Sequence, residues 1–155
     1  MKQTTQLALL IFLLTLSAVA QNTQRIKDLN VDSGALALGG YDAVAYLKDK
    51  KAIKGKENIT AVIGGVKYRF SSIANKNSFD ASPATYEPQY GGWCAYAMGE
   101  NGEKVEVDPE TFKIVDGKLY LFYNKFFNNT LATWNKNERN LKAQADKNWN
   151  KLVKP

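Results

Sequence analysis

Alternating apolar and polar positions predict a β-hairpin in the first half of the chain. Residues 59–63 and 66–70 are rich in β-branched and aromatic side chains, and only Gly64-Gly65 separates the two runs. Two such runs joined by residues that accept positive φ angles favour antiparallel strands connected by a primed turn.

Short helices are predicted on both sides of the chain's midpoint. Ser71-Ser72 offers a helix cap, and residues 73–79 follow it as a helix with Ile73 and Phe79 available to the core. Residues 93–98 predict a second short helix, which Gly99 would end.

A second hairpin and a helical tail complete the pattern. Residues 112–115 and 118–123 flank Asp116-Gly117, a dipeptide that strongly favours a two-residue turn. Apolar residues at helical spacing then predict two amphipathic segments. The apolar residues of these segments are Phe126, Phe127, Leu131 and Trp134 in the first, and Leu141, Ala145, Trp149 and Leu152 in the second.

These elements predict an α+β fold in which the two hairpins build a small antiparallel sheet. Short helices and the C-terminal helical region cover that sheet. We expect one domain over residues 39–155, since 155 residues fit a single core. Residues 21–38 begin with a polar run and predict a loose lead-in to the domain.

The first twenty residues have the pattern of an export signal. Lys2 supplies positive charge, residues 7–16 are apolar, and Ala18-Val19-Ala20 matches a cleavage site. The alternative is an uncleaved N-terminal anchor. We expect cleavage after residue 20, a periplasmic or secreted protein, and no membrane span after the signal is removed.

Charge and composition limit the kinds of function open to the chain. The formal net charge is +6, but the lysines are scattered rather than clustered, so we expect no nucleic-acid partner. The chain contains no histidine. Ser-His-Asp and Cys-His mechanisms and histidine-based zinc sites are therefore excluded, which argues against a classical enzyme.

The candidate chemistry lies in residues 86–98, which contain the only cysteine, Cys94. In the first turn of a helix, Cys94 would be favoured as a thiolate and could act as a redox thiol with an external thiol partner. Gly91 and Gly92 would bring backbone donors near it, and Trp93 and Tyr96 would shape its surroundings. The alternative is a buried, inert cysteine.

Other candidate sites depend on fewer ligands or weaker patterns. Cys94 and Met98 are four residues apart, so a helix would place both sulfurs on one face, where they could bind Cu(I) weakly. We otherwise expect no cofactor. The acidic residues between 100 and 108 lack the pattern of a calcium loop. Four tyrosines could line a ligand groove or fill the core; they are Tyr68, Tyr90, Tyr96 and Tyr120.

Several segments together resemble a YHS domain, and specifically its exported branch, which carries a Gly-Gly-aromatic-Cys-Ala-Tyr segment. The resemblance covers about residues 39–152. Some members of this branch carry selenocysteine at the position of Cys94, which implies a functional sulfur there, and most have no assigned activity. The segments that carry the resemblance are residues 41–45, 68–72, 82–86, 89–97 and 115–121, with Phe79.

The chain departs from the metal-associated members of the family. Those members bring cysteines together from the first strand and from the junction between strand and helix. The matching positions here are Ala45, Ser71 and Asn75, none of which offers a thiolate. We therefore expect no soft-metal or zinc site at these positions.

Taken together, the sequence predicts a small periplasmic YHS-like protein of binding or thiol-redox accessory function that uses Cys94. The alternatives are a non-catalytic binding or interaction module with Cys94 buried, and weak Cu(I) binding through Cys94 and Met98.

Overall fold

The computed structural model of the protein describes residues 21–153. The predicted export signal lies outside the described residues. Within them, the helices are α1 (21–28), α2 (Ala43–Lys48), α3 (Ile73–Ala81), α4 (Pro83–Tyr86), α5 (Ala95–Glu100), α6 (Thr130–Lys136) and α7 (Glu138–Leu152). The strands are β1 (Lys56–Ile63), β2 (Val66–Phe70), β3 (Asp108–Val115), β4 (Lys118–Phe122), β5 (Asn124–Lys125) and β6 (Asn128–Asn129), and two 3₁₀ turns cover Leu38–Gly40 and Gln89–Gly92.

The α+β class and both hairpins are confirmed. β1 pairs with β2, and Ile63 lies opposite Val66 across a turn in which both glycines have positive φ. β3 pairs with β4 in the same way, with Val115 opposite Lys118. Among the described residues, no strand of the first hairpin pairs with a strand of the second. The hairpins therefore form two separate sheets rather than the one small sheet expected, and β5 with β6 forms a third.

Strand β4 joins two hydrophobic clusters because its side chains alternate between them. Leu119 and Leu121 belong to a first cluster built on β1, β2, α2 and α3. Tyr120 and Phe122 belong to a second cluster, which includes Trp134 of α6. Successive side chains of a strand point to opposite faces. β4 is therefore buried on both faces, and it connects the two halves of the domain.

The segment that precedes the domain has more structure than its polar composition predicts. Residues 21–28 are helical rather than a loose lead-in. The segment that follows α1 is tied to the middle of the chain, since the Asn30 N–H donates to the Gly91 carbonyl at 2.8 Å. The indole N–H of Trp93 donates to the Asp28 carbonyl at 2.7 Å. Each of these bonds joins its donor to a backbone carbonyl more than 60 positions away in the sequence, so the local pattern of polar side chains did not reveal them.

Of the two amphipathic segments predicted for the tail, the second is confirmed as α7. The first is confirmed only from Thr130 onward, as α6. Leu141 and Ala145 of α7 are buried, as predicted. Phe126 and Phe127 do not belong to α6, which begins at Thr130. They form the turn between β5 and β6, where both have positive φ and are exposed. The helical prediction was wrong there because the spacing of aromatic residues did not reveal the turn.

The predicted helix α3 is confirmed except for the position of Ile73. Ser72 caps α3 as predicted, and its hydroxyl accepts from the Asn75 N–H at 3.1 Å. Phe79 is fully buried, but Ile73 is 58% exposed and does not contribute to the core. None of the helices within residues 21–153 is long and apolar enough to span a membrane.

Gly91 and Gly117 offer a matched test of how tightly α1 and α7 enclose the Gln89–Gly92 turn. Both glycines have positive φ, but a Cβ at Gly91 would lie 2.8 Å from Trp149 Cη2 and 2.9 Å from Leu29 Cδ2, whereas a Cβ at Gly117 would meet nothing within 4 Å. We expect Gly117→Ala to cost about 1 kcal/mol from backbone strain alone. Gly91→Ala should cost about 1–3 kcal/mol more because it also overpacks the turn.

Urea unfolding of the two variants measures this difference. Equal losses of unfolding free energy in the two variants would show that Trp149 and Leu29 do not close on Gly91.

Candidate functional site

The residues predicted to surround Cys94 are divided between two faces of the molecule. Gly91 and Gly92 line a groove between α1 and α7. Tyr96 lines a shallow depression of about 270 Å³ on another part of the surface, and Cys94 lies beneath the floor of that depression without reaching its surface. The structure therefore does not bring the glycine pair and the cysteine into one site.

Cys94 itself is sealed. Its exposed fraction is 0%, and it occupies the cap position of α5, a helix of only six residues. The backbone N–H of Tyr123 donates to the Cys94 sulfur at 3.3 Å, and the Thr130 hydroxyl lies 3.4 Å from the same sulfur. The sulfur thus has polar partners within the protein but no surface that a substrate could reach.

The contact with Thr130 ties Cys94 to the segments that follow β4. The Thr130 hydroxyl donates to the Tyr123 carbonyl at 2.9 Å and lies 3.4 Å from the Cys94 sulfur, to which the Tyr123 N–H donates. The sulfur is therefore held between residue 123 and the start of α6.

The other predicted neighbours of Cys94 have structural contacts of their own. Trp93 is half-buried and directs its indole N–H at α1. Tyr96 is half-buried at the depression, and Met98 is fully buried in the second cluster beside Trp134. Among residues 21–153 there is no group of three or more Asp, Glu, Cys or His side chains that could hold a metal ion. Copper binding by Cys94 and Met98 stays a prediction.

The positions that correspond to metal ligands in the resemblance lie together around one carboxylate, that of Asp42. One Asp42 oxygen accepts from the Ala45 N–H at 3.2 Å. The other accepts from the Ser71 hydroxyl at 2.6 Å and from the Asn75 side-chain amide at 2.8 Å. Asp42 is fully buried. These positions therefore surround a buried, hydrogen-bonded carboxyl group.

The groove that contains Gly91 and Gly92 is the larger and the more enclosed of the two sites. We call it the α1–α7 groove. Its volume is about 530 Å³, within the range of small-molecule sites. It is lined by Arg25, Leu29, Asn30, Ala37, Leu38, Tyr68, residues 87–92, Lys118, Asp146, Trp149 and Asn150.

A first set of paired side chains fixes one wall of the α1–α7 groove. The Tyr68 hydroxyl donates to Glu87 Oε1 at 2.7 Å, and the same oxygen accepts from the Arg25 guanidinium in an ion pair. Burial, and then the negative charge of Glu87, raise the pKa of Tyr68 far above its ordinary value. Tyr68 therefore stays a hydrogen-bond donor across the physiological pH range.

A second set of paired side chains fixes another wall of the groove. The Tyr90 hydroxyl donates to Asp146 Oδ1 at 2.8 Å, and Lys142 donates to Asp146 Oδ2 at 3.3 Å. Burial, followed by the bond to Asp146, raises the pKa of Tyr90 far above its ordinary value. Both walls of the groove are therefore held by a phenol bound to a carboxylate.

The four tyrosines that the sequence offered for a groove have separate positions. Tyr68 and Tyr90 belong to the α1–α7 groove, although their rings are almost fully buried. Tyr96 belongs to the depression beside Cys94, and Tyr120 packs in the second cluster. Their partners Arg25, Glu87 and Asp146 were missed, since single charged residues far apart in sequence form no local motif.

No family model, curated protein or solved structure matches this chain. The resemblance to YHS domains therefore stays a prediction from the sequence.

The sealed environment of Cys94 predicts slow alkylation of the folded protein. The comparison is a reporter variant with an exposed thiol, Asn101→Cys in a Cys94→Ala background. Asn101 lines the same depression and is exposed, so the reagent can reach a cysteine there. We expect iodoacetamide to modify Cys94 at least about a hundredfold more slowly than the reporter, and both at similar rates in denaturant.

Mass spectrometry of timed samples gives both rates. Comparable rates for Cys94 and the reporter in the folded state would contradict the sealed thiol and would restore the redox hypothesis.

Proposed function

We propose that this protein is an exported, non-catalytic binding module that holds a small polar ligand in the α1–α7 groove. Export is inferred from the predicted signal at residues 1–20. Binding is inferred from the groove, and the non-catalytic character from the sealed state of Cys94 together with the absence of histidine from the sequence.

The observation that carries the proposal is that the polar side chains of the groove hold one another in place. Glu87 already accepts from Tyr68 and Arg25, and Asp146 already accepts from Tyr90 and Lys142. A site with fixed polar groups loses little conformational entropy when a ligand binds. Fixed walls thus support specific binding of a small molecule.

The charges of the groove indicate the class of ligand. Arg25 and Lys118 bring positive charge to the lining, and Glu87 and Asp146 bring negative charge. Arg25, Glu87 and Asp146 each have an ionic or hydrogen-bonded partner, so of these four groups the exposed Lys118 alone is left to pair with a charged ligand. A strongly charged ligand would therefore meet at most one counter-ion in the lining, and a strongly cationic one would meet none of these groups without a partner.

The remaining lining groups suit an uncharged or zwitterionic molecule. Asn30, Gln89 and Asn150 bring amides that can donate and accept, and Trp149 brings an aromatic surface. A single sugar or amino acid has the matching combination of hydrogen-bonding groups and apolar edge. The volume of about 530 Å³ admits molecules of this size.

A thiol-redox accessory role is less well supported than ligand binding. It would require the sulfur of Cys94 to meet a partner thiol, yet that sulfur has no exposed surface. Thiol exchange needs direct attack by a thiolate. A redox cycle would therefore need α5 to separate from Tyr123 and Thr130 in every turnover.

The test is an NMR titration of the isotope-labelled protein with two panels, neutral monosaccharides and zwitterionic amino acids. We expect at least one compound to shift the amides of Gly91 and Gly92 and the indole N–H of Trp149 saturably. Asn150→Trp places a large side chain in the groove and should weaken that binding about tenfold or more, because it fills the site.

Lys147→Trp is the matched control, since Lys147 is exposed on the same helix and does not line the groove. Equal effects of the two variants would contradict the proposed location. Two panels without any saturable shift would contradict the proposed ligand class, and shifts confined to Tyr123 and Asn101 would move the site to the depression beside Cys94.

A further inference from the structure

The turn between β5 and β6 presents two large apolar side chains to solvent. Phe126 is 89% exposed and Phe127 is 111% exposed. The strands that carry them contain only asparagine and lysine; Asn124 is half-buried, and Lys125, Asn128 and Asn129 are exposed. We call residues 124–129 the Phe-Phe hairpin.

The backbone of this turn is unfavourable for the residues that occupy it. Phe126 has a φ of 51° and Phe127 a φ of 62°. A two-residue turn with both φ angles positive is of the type that favours Asn-Gly. For a bulky side chain the same conformation brings Cβ against the backbone and costs free energy at each position.

No contact among residues 21–153 offsets this cost through apolar packing. Neither phenylalanine belongs to either hydrophobic cluster or to any close pair of aromatic rings in that part of the chain. The pair thus combines backbone strain with unburied apolar surface. Both costs would be offset if the two rings entered an apolar phase outside the protein.

We propose that the Phe-Phe hairpin inserts into the interfacial layer of an anionic phospholipid bilayer. The hairpin has the required distribution of groups, with two phenylalanines at its tip and amides and Lys125 behind them at the level of the headgroups. Apolar side chains at such a tip and basic residues around them are the two contributions that bind peripheral proteins to membranes.

Charge favours an anionic surface over a neutral one. The chain has a formal net charge of +6, or +5 without Lys2 of the predicted signal, and cationic residues near an anionic leaflet are attracted to it. Glu100 and Glu103 lie in the depression next to the base of the hairpin. The attraction therefore comes from the overall excess of lysine and arginine, and we expect it to weaken as salt is added.

The surroundings of the two phenylalanines fit lipid better than a protein partner. A stable protein interface buries about 800 Å² on each side around an apolar centre. Here the neighbours Lys125, Asn128 and Asn129 are polar and exposed, so two side chains alone would form the centre. Two inserted side chains are enough for weak, reversible membrane binding when basic charge assists them.

This inference is independent of ligand binding in the α1–α7 groove. No residue of the Phe-Phe hairpin lines that groove. Membrane binding can therefore fail while the groove binds its ligand, and the reverse outcome is equally distinct.

The test measures sedimentation of the protein, purified from the exported fraction, with vesicles of phosphatidylglycerol and phosphatidylcholine or of phosphatidylcholine alone. The variant Phe126→Asn with Phe127→Gly installs the dipeptide that the turn favours. We expect it to unfold at a higher temperature than the wild type and to bind the anionic vesicles about tenfold more weakly or worse.

The control variant is Val62→Ser with Ile73→Ser, which removes exposed apolar side chains of 60% and 58% exposure elsewhere on the surface. It should bind like the wild type. All three proteins carry the same N-terminus, so differences between them belong to the substituted positions.

Three results would overturn the proposal. The wild type could fail to bind either vesicle, which would assign the phenylalanines to a protein partner. The hairpin variant could bind as tightly as the wild type, which would leave net charge as the cause. The control variant could lose as much binding as the hairpin variant, which would make the effect one of general surface hydrophobicity.

Discussion

The buried carboxylate of Asp42 is the interaction on which the arrangement of the first half of the domain depends. Its oxygens accept hydrogen bonds from the backbone N–H groups of Val44, Ala45 and Ser71, and from the side chains of Ser71 and Asn75. These donors belong to the start of α2, the end of β2 and the first turn of α3. A fully buried carboxylate is tolerated only when such donors surround it, so the charge fixes three elements relative to one another.

This arrangement also explains why residues 86–98 are divided between the groove and the interior of the protein. The first cluster packs on β4, whose other face builds the second cluster, and the chain from residue 86 to residue 98 crosses between them. Gly91 and Gly92 are left at the α1–α7 groove, and Cys94 is left inside the protein. The sulfur of Cys94 is thereby buried, and in the proposed function it is the polar side chains of the groove that bind the ligand.

The sequence predicted those parts of the fold that depend on neighbouring residues. Both hairpins follow from turn dipeptides, and α7 follows from a single run of helical spacing. The parts that it did not predict depend on distant partners. Tyr90 and Asp146 are 56 residues apart, and the sealing of Cys94 depends on Tyr123 and Thr130. The strained turn at Phe126 was missed because its residues disfavour the conformation that they adopt.

The most direct measurement of this account is the unfolding free energy of Asp42→Ala in urea, with Asp49→Ala as the control. Asp49 follows α2 and is exposed. If the carboxylate of Asp42 fixes three elements, its removal leaves several buried donors without an acceptor and should cost about 2–4 kcal/mol. Asp49→Ala should stay within about 0.5 kcal/mol of the wild type. Similar small losses in both variants would contradict the central role of Asp42.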